Sequence, residues 1–351
     1  MNIKNEDILT VLHAVVHPEK SKSVVDMDLV RDISIHNNQI SFTLFFKTFN
    51  DPFKNSLKQS CIIALQQEYG KDIQVDINIM TDVVPRVKKN NELLPGVKNI
   101  IAVASGKGGV GKSTIAVNLA VTFARKGYNV GLIDADIFGP SIPKMMNAEE
   151  AKPYGENRNG KDMILPVTNY GVKMLSIGFF VDPKEAVIWR GPMASNALKQ
   201  LMGDAIWEDI DYLFIDLPPG TSDIHITLTQ SVPVTGAVII STPQNVALAD
   251  ATKGIKMFQN EKTTVPILGL IENMAWFTPA ELPENKYYIF GKDGCKNLAK
   301  EMEVPFLGQI PIVQSICEDA DQGKPSVLFN DTISEAFNNI ADELVENINK
   351  I

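Results

Sequence analysis

Residues 106–114 read GKGGVGKST, and this stretch decides how the rest of the chain is interpreted. It satisfies the phosphate-binding pattern G-x-x-x-x-G-K-[ST], whose fixed positions are Gly106, Gly111, Lys112 and Ser113. The run at residues 99–105 (NIIAVAS) is apolar and typical of a buried strand, and residues 115–125 (IAVNLAVTFAR) have the apolar spacing of a helix. Because a strand, a glycine-rich loop and a helix follow in this order, the sequence predicts a nucleoside triphosphate site.

The residue types of this loop suit a bound triphosphate. Glycines allow successive backbone N–H groups to turn toward one anion, and the positive end of the following helix points to the same place. Lys112 adds positive charge at the β and γ phosphates, and Ser113 supplies a hydroxyl ligand for Mg²⁺. We expect the nucleotide to contact the whole loop, which comprises Gly106, Lys107, Gly108, Gly109, Val110, Gly111, Lys112, Ser113 and Thr114.

Aspartates follow two more apolar runs, where strands of the predicted sheet end. Asp134 and Asp136 come after residues 128–133 (YNVGLI). Either carboxylate could orient a water in line with the γ phosphorus, or both could be loop or helix-start residues. Asp216 follows the run at residues 212–215 (YLFI), which is the Walker B arrangement of a carboxylate that holds the Mg²⁺ shell through water. Beyond it, the turn at residues 218–220 brings the N–H of Gly220 within reach of the γ phosphate.

Asn273 follows another apolar run, residues 267–271 (ILGLI). Its amide group both donates and accepts hydrogen bonds, which suits the edge of an adenine base. Asparagine at a strand end is also a common turn residue. Our hypothesis is that Asn273 forms hydrogen bonds with the adenine base.

Composition excludes several classes of protein. The chain of 351 residues is 44% hydrophobic and 21% charged, as in ordinary globular proteins, and its net charge of −9 argues against binding to nucleic acid or to anionic membranes. The first residues do not resemble a secretory signal, and no apolar run approaches the length of a membrane span. Three widely spaced cysteines fit a reducing compartment. We therefore expect a cytoplasmic protein.

The apolar periodicity divides the chain into two domains. Residues 1–80 alternate in the order αββαβ and predict a small α+β domain. Residues 81–97 lack periodicity and contain Pro85 and Pro95, so we interpret them as a linker. Residues 98–351 repeat short apolar strands and helices, which predicts an α/β domain with a doubly wound, mostly parallel sheet. Ligands of such sheets bind beyond the carboxyl ends of the strands, where the motifs lie.

The motifs together resemble one family of ATPases. The pattern K-G-G-x-G-K-[ST] is similar to the deviant Walker A group, which contains MinD, ParA and the nitrogenase iron protein. Residues 134–141 (DADIFGPS), 190–193 (RGPM), 216–221 (DLPPGT), 242–250 (TPQNVALAD) and 272–274 (ENM) narrow the resemblance to the Mrp/ApbC proteins, which are iron–sulfur cluster carriers. The small domain resembles the SufT/PaaD type, with Asp51-Pro52 where that family has a cysteine.

This resemblance implies a mechanism and partners. It implies a Mg²⁺-dependent ATP hydrolase in which Asp136 is the catalytic carboxylate of the switch I loop. It also implies a homodimer that sandwiches the nucleotide, in which Lys107 reaches the phosphates of the partner subunit. Lys107, Lys112 and Asp136 are therefore the expected catalytic residues. Iron–sulfur assembly proteins and apoprotein acceptors are the expected partners.

The chain departs from the carrier family in its cysteines. The resemblance implies a CxxC motif shortly after residues 272–274, through which two subunits bind one cluster. Residues 275–290 (AWFTPAELPENKYYIF) contain no cysteine. Cys295 is the nearest candidate ligand, although an isolated cysteine is more often a small buried hydrophobic residue. The sequence therefore leaves open whether the protein itself binds an iron–sulfur cluster.

Two alternatives to a cluster carrier follow from this departure. One is an ATP-dependent switch of the same fold that binds no cluster, and the other is a positioning ATPase of the MinD or ParA type. Residues 331–351 place apolar side chains at helical spacing beside an acidic polar face. Membrane-surface helices are usually basic on that face. The sequence therefore favours packing of this helix on the ATPase core over membrane binding.

Overall fold

A computed structural model describes residues 4–36, 39–46, 53–70, 73–81, 93–158, 160–181, 191–260, 263–279 and 281–351. The Asp51-Pro52 pair, Arg190 and most of the predicted linker, residues 82–92, lie outside the described residues. The chain divides into two compact units, Met1–Lys88 and Lys89–Ile351. Of the linker expected at residues 81–97, Thr81 ends the last strand of the first unit and Val97 begins the first strand of the second, so we propose the residues between them as the connection.

The first unit has the αββαβ order that the sequence predicts. Its elements are α1 (Asn5–Leu12), β1 (Val30–His36), β2 (Gln39–Phe46), α2 (Lys54–Tyr69) and β3 (Gln74–Thr81). The central strand β2 pairs with β1 in antiparallel and with β3 in parallel orientation. Ile8, Leu44 and Leu65 are buried in its core together with Cys61, so this cysteine serves as a packing residue.

The second unit contains the remaining elements. They are β4 (Val97–Ser105), α3 (Lys112–Arg125), β5 (Val130–Asp134), α4 (Ile142–Met145), β6 (Tyr154–Arg158), β7 (Lys161–Leu165), β8 (Val167–Asn169), β9 (Val172–Ser176), α5 (Gly191–Gly203), β10 (Ile210–Asp216), α6 (Asp223–Ser231), β11 (Gly236–Ser241), α7 (Asn245–Phe258), β12 (Ile267–Glu272), α8 (Gly294–Glu301), β13 (Phe306–Gln309), α9 (Gln314–Asp321) and α10 (Asp331–Asn349). Short 3-10 helices lie at Ile177–Phe179 and Ser326–Leu328.

The large sheet confirms the predicted doubly wound α/β fold. Its strand order is β13-β12-β11-β4-β10-β5-β9-β8, and every pairing is parallel except β8 with β9. The chain runs from β4 outward to β9, returns to β10, and then continues on the other side of β4. The strand order therefore reverses next to β4, and the carboxyl ends of β4 and β10 form the crevice where doubly wound sheets bind ligands.

The apolar pattern of the sequence does not predict the hairpin of β6 and β7. The antiparallel hairpin of β6 and β7 is half-buried or exposed, and its first strand reads YGENR, which has no alternating apolar positions.

The C-terminal helix α10 packs against α3 and β13, and it buries Ile333, Phe337, Ile340 and Leu344, as the sequence predicts. In the described part of the chain, no helix combines the length and apolar character that crossing a membrane requires.

Candidate nucleotide-binding site

The glycine-rich loop joins β4 to α3, and close contacts restrict its residues. Gly111 has a φ of +83°, which favours glycine, and a Cβ atom there would collide with the side-chain amide of Asn273. A Cβ atom on Gly106 would collide with the backbone of Asp250 on α7. The loop therefore fits between α7 and the segment after β12 only because these positions lack side chains. It borders a cleft of about 200 Å³ that Lys112, Ser113, Thr114 and Asp136 also line.

Lys112, Ser113 and Asp216 form the charged base of this cleft. The Nζ of Lys112 donates to Oδ1 of Asp216 at 2.7 Å, and the hydroxyl of Ser113 donates to Oδ2 at 2.6 Å. Asp216 is fully buried. Burial raises the pKa of Asp216, whereas Lys112 and Ser113 act in the opposite direction because they stabilise the carboxylate. The structure thus brings Asp216 to Lys112 and Ser113, which lie about a hundred positions earlier in the sequence.

The structure separates the roles of the two aspartates after β5. Asp136 is partly exposed and lines the cleft, with its Oδ2 3.8 Å from the Nζ of Lys112. Asp134 points inward and is fully buried. Its Oδ1 accepts from the Asp136 amide at 3.2 Å, and its Oδ2 accepts from the Ile142 amide at 3.3 Å and from the Ser176 hydroxyl at 2.9 Å. Asp136 is therefore the carboxylate of this pair that a nucleotide can meet.

Burial has a strong effect on the ionisation of Asp134. Desolvation, with the negative charge of Asp216 nearby, raises the pKa of Asp134 to about 7. Burial also raises the pKa of Asp136, and the Lys112 ammonium opposes this shift. Three carboxyl groups therefore lie near the Lys112 ammonium, and of these three only that of Asp136 lines the cleft.

The turn after β10 lies differently from the expectation. Gly220 has a φ of +82°, and its N–H donates to the carbonyl oxygen of Ser105 at 2.8 Å. The turn folds back onto the end of β4 in this conformation, so the expected contact between this N–H and a γ phosphate stays a prediction that requires the turn to move. Pro219, and not Gly220, lines the cleft.

His225 is a residue of this region that the sequence pattern did not single out. It lies in the first turn of α6, where its Nδ1 accepts from the Ser222 backbone N–H at 3.2 Å. Its ring is buried, and within the described residues its Nε2 has no hydrogen-bond partner. Burial lowers the pKa of His225 to about 4, and the positive charge of Lys112 contributes to this shift.

Asn273 supports the loop from below. It is buried, and its Nδ2 donates to the carbonyl oxygen of Val110 at 2.9 Å. This bond occupies one N–H of the Asn273 amide, which leaves the second N–H and the Oδ1 oxygen for contact with a base. The base-reading role stays a hypothesis. A second cleft of about 140 Å³ adjoins the loop and includes Gln244, Met274 and Phe290, but not Asn273, in its lining. The sequence analysis assigned no role to these three residues because none belongs to the phosphate-binding loop, although Gln244 and Met274 lie within motifs that carry the family resemblance.

Lys107 differs from Lys112 in its surroundings. Its side chain is exposed at the mouth of both clefts. Among the described residues, its ammonium group has no ion-pair partner. Lys112, by contrast, has only 6% of its surface exposed and is held by Asp216. The Lys107 side chain is therefore open to solvent, whereas the Lys112 ammonium lies in a buried ion pair.

The cysteines do not assemble into a metal site. Cys61 and Cys295 are buried, whereas Cys317 is exposed on α9. The amide of Cys295 donates to Oε2 of Glu272 at 2.6 Å, and burial together with this carboxylate raises the pKa of its thiol. The residues that the structure describes contain no group of three or more His, Cys, Asp or Glu side chains that could hold a metal ion. Cys295 thus begins helix α8 as a packing residue.

The segment between β12 and α8, where the resemblance leads one to expect a CxxC motif, contains several aromatic side chains and no cysteine before α8. Phe277 pairs with Tyr287 across a short antiparallel bridge, and the Lys286 ammonium lies 4.0 Å from the centroid of the Trp276 ring. Tyr287 and Ile289 are exposed. This segment holds itself together through ring and backbone contacts.

Comparison with known proteins gives consistent matches along the chain. A model of the ParA family described as NUBPL iron-transfer P-loop NTPase matches residues 96–345, and a model described as iron-sulfur cluster assembly protein matches residues 5–77. An iron-sulfur cluster carrier protein of Synechocystis is 42% identical over 93% of this chain and 92% of its own length. The iron-sulfur cluster transfer protein NUBPL of Dictyostelium discoideum is 43% identical over 87% of this chain and 94% of its own length.

Solved structures match the second unit. A nucleotide-binding protein from Archaeoglobus fulgidus in complex with ADP is 36% identical, covers 67% of this chain and 90% of its own, and superposes with a TM-score of 0.58. The MinC:MinD complex of Aquifex aeolicus gives a TM-score of 0.50 at 18% identity, over 71% of this chain and 96% of the matched one. This second match supports the fold alone.

Proposed function

Because the chain belongs to the NUBPL iron-transfer P-loop NTPase family, we propose that it binds and hydrolyses ATP as a homodimeric switch. In this proposal the switch serves the assembly of iron–sulfur clusters or their transfer to apoproteins. One observation carries the ATPase part: Lys112, Ser113, Asp136 and Asp216 converge beside the glycine-rich loop. The names of the relatives support the iron–sulfur part.

The buried ion pair supports the binding of a magnesium nucleotide. A triphosphate in the loop would draw the Lys112 ammonium toward its β and γ oxygens, away from Asp216. Asp216 is fully buried, so an unpaired charge there would be costly, and a second cation would have to replace the lysine. The adjacent oxygens of Ser113 and Asp216 are the donors that Mg²⁺ prefers. Bound there, Mg²⁺ would neutralise charge on the phosphates.

Asp136 is the proposed catalytic carboxylate. It lies on the loop after β5, near Lys112 and on the border of the cleft. A carboxylate there can accept a proton from an attacking water and orient it toward the γ phosphorus. The inward orientation of Asp134 supports this choice between the two aspartates.

Lys107 supports the dimer. A lysine at the mouth of a phosphate site, without an ion-pair partner in the described part of its own chain, is available to phosphates that approach from a second subunit. We propose that each subunit of an ATP-bound dimer inserts Lys107 into the site of the other. Because this contact requires nucleotide, ATP binding and hydrolysis would control dimer formation.

The cluster itself is the cargo in this proposal. Of the three cysteines only Cys317 is exposed, so two subunits would offer two accessible thiols, whereas a cluster usually takes four. We propose that donor or acceptor proteins supply the missing ligands and that this chain supplies the nucleotide-driven cycle. This version differs from a carrier that holds the cluster alone.

Anaerobic reconstitution tests the proposal. Wild-type protein and a Cys317→Ser variant are incubated with iron and sulfide, with and without an apo-acceptor, while ATP hydrolysis is measured in parallel. We expect little cluster absorbance on the homodimer and ATP-dependent acceleration of acceptor maturation. A stable cluster on the homodimer that survives the Cys317→Ser change would contradict the shared-ligand version. Maturation at equal rates with and without ATP would overturn the iron–sulfur role.

A further inference from the structure

Ser176 at the end of β9 connects two loops at the nucleotide edge of the sheet. Its hydroxyl donates to Oδ2 of Asp134 at 2.9 Å and accepts from the Gly178 amide at 3.0 Å. Ser176 and Asp134 are both fully buried. One hydroxyl group thus joins the carboxylate that precedes the Asp136 loop to the 3-10 helix that follows β9.

The bond from Ser176 is the shortest that the Asp134 carboxylate receives. The Asp136 and Ile142 amides lie at 3.2 and 3.3 Å, at the long end of the hydrogen-bond range. Because Ser176 fixes Oδ2, it also fixes the plane of the carboxylate and therefore the direction of Oδ1 toward the Asp136 amide. This amide belongs to the residue whose own carboxylate lies 3.8 Å from Lys112.

Packing between the two loops adds to this connection. A Cβ atom on Gly178 would lie 3.3 Å from both Pro140 and Pro143, so the 3-10 helix packs directly on the loop that carries Asp136. A displacement of either segment would therefore displace the other as well. Phe138 and Phe180, at the outer ends of the two loops, are both exposed.

We propose that Ser176 is a positioning residue for the proposed hydrolysis reaction and that it acts through the carboxylate of Asp134 to place Asp136. This inference rests on the proposed role of Asp136 in ATP hydrolysis. Ser176 touches neither the glycine-rich loop nor Lys112 through any described hydrogen bond, so its effect falls on the chemical step and not on nucleotide binding. A small displacement of a reacting group is enough to slow a reaction strongly.

Steady-state kinetics test the catalytic part. We expect Ser176→Ala to lower kcat about tenfold and to leave the KM for ATP within about twofold of wild type. Ser176→Cys keeps the size of the side chain and a weak donor, so its kcat should lie between these values. The control Thr235→Val removes another buried hydroxyl, which accepts from the Ile100 amide at the opposite edge of the sheet, and should change neither constant. An equal loss of kcat in Ser176→Ala and Thr235→Val would overturn the proposal.

A double variant tests the route through Asp134. If Ser176 acts through this carboxylate, adding Ser176→Ala to Asp134→Asn should lower kcat no further than Asp134→Asn alone. Independent, multiplying effects of the two substitutions would contradict that route.

Amide hydrogen exchange tests the positioning itself without requiring hydrolysis. We expect the Asp136 and Ile142 amides to exchange about five- to tenfold faster in Ser176→Ala than in wild type or Thr235→Val, because the carboxylate that accepts from both loses its anchor. If the wild-type protein hydrolyses no ATP, the proposed function fails, and this measurement still decides the positioning role. Unchanged exchange of the Asp136 and Ile142 amides would overturn it.

Discussion

The nucleotide edge of the sheet and the segment between β12 and α8 are neighbours in the fold, but they are built on different physical constraints. At the nucleotide edge, Asp134 and Asp216 are fully buried, and Lys112 is nearly so. Lys112 and Asp216 pair with each other, and Asp134 is held by the Ser176 hydroxyl and two backbone amides. In the segment at residues 281–289 every described side chain is exposed. A substitution at the edge leaves a buried charge unpaired, whereas a substitution in the segment disturbs few contacts.

This difference separates two parts of the proposed function. Residues of the proposed ATPase site are constrained against substitution because they also stabilise the fold. For the proposed cargo part, the expected CxxC motif is missing from residues 275–290, and residues 281–289 are exposed. We infer that a nucleotide switch of this family can keep its cycle while its own thiol ligands are absent.

The largest effect should come from Lys112→Ala. It should abolish measurable ATP binding and lower the free energy of unfolding by about 3–5 kcal/mol, because Asp216 would remain buried without its cation. Calorimetric ATP titration and urea unfolding measure the two effects. Lys107→Ala is the matched control on the same loop and should change stability by less than about 0.5 kcal/mol. Wild-type stability of Lys112→Ala would show that the edge is less constrained than we argue.

Thiol labelling examines the other side of the comparison. With iodoacetamide at neutral pH, Cys317 should react about a thousandfold faster than Cys61, because burial raises the pKa of Cys61 to about 12 and blocks access. Cys295 should be similarly slow. Mass spectrometry of the labelled peptides measures each rate, and in denaturant all three rates should become similar. Fast native labelling of Cys295 would restore it as a candidate cluster ligand.

His225 predicts how acid affects the nucleotide edge. Its pKa is about 4 in the folded protein against an ordinary value of 6.5, so the unfolded chain binds the proton first as the pH falls. The stabilising contribution of neutral His225 is therefore present above pH 6.5 and is lost toward pH 4, by about 3 kcal/mol in total. His225→Gln should lose that much less stability than wild type between pH 7 and pH 4, as measured by urea unfolding. Parallel losses in both proteins would show that His225 ionises freely in the fold.

The smallest of these effects concerns Asp136. Asp136→Ala should lower kcat about a hundredfold and leave ATP affinity near that of wild type, because Lys112 and the glycine-rich loop remain intact. Single-turnover hydrolysis and ATP titration separate the two quantities. Normal turnover by this variant would assign the reaction to a different carboxylate and would remove the basis for positioning by Ser176.

The amino-acid sequence alone predicts the doubly wound sheet, the αββαβ order of the small domain and the position of the glycine-rich loop. These features follow from local periodicity and from motifs within a few residues, which need no knowledge of distant contacts. It also located the carboxylates at the strand ends, because parallel strands bring their carboxyl ends to one edge.

The tertiary structure determines which way these side chains point. It directed Asp136 into the cleft and Asp134 inward toward Ser176, placed Asn273 beneath the loop, and turned the N–H of Gly220 onto Ser105. It also buried Cys295 against Glu272. Each outcome depends on the partner that a donor, acceptor or thiol meets across the fold, and the spacing of residues along the chain does not contain that information.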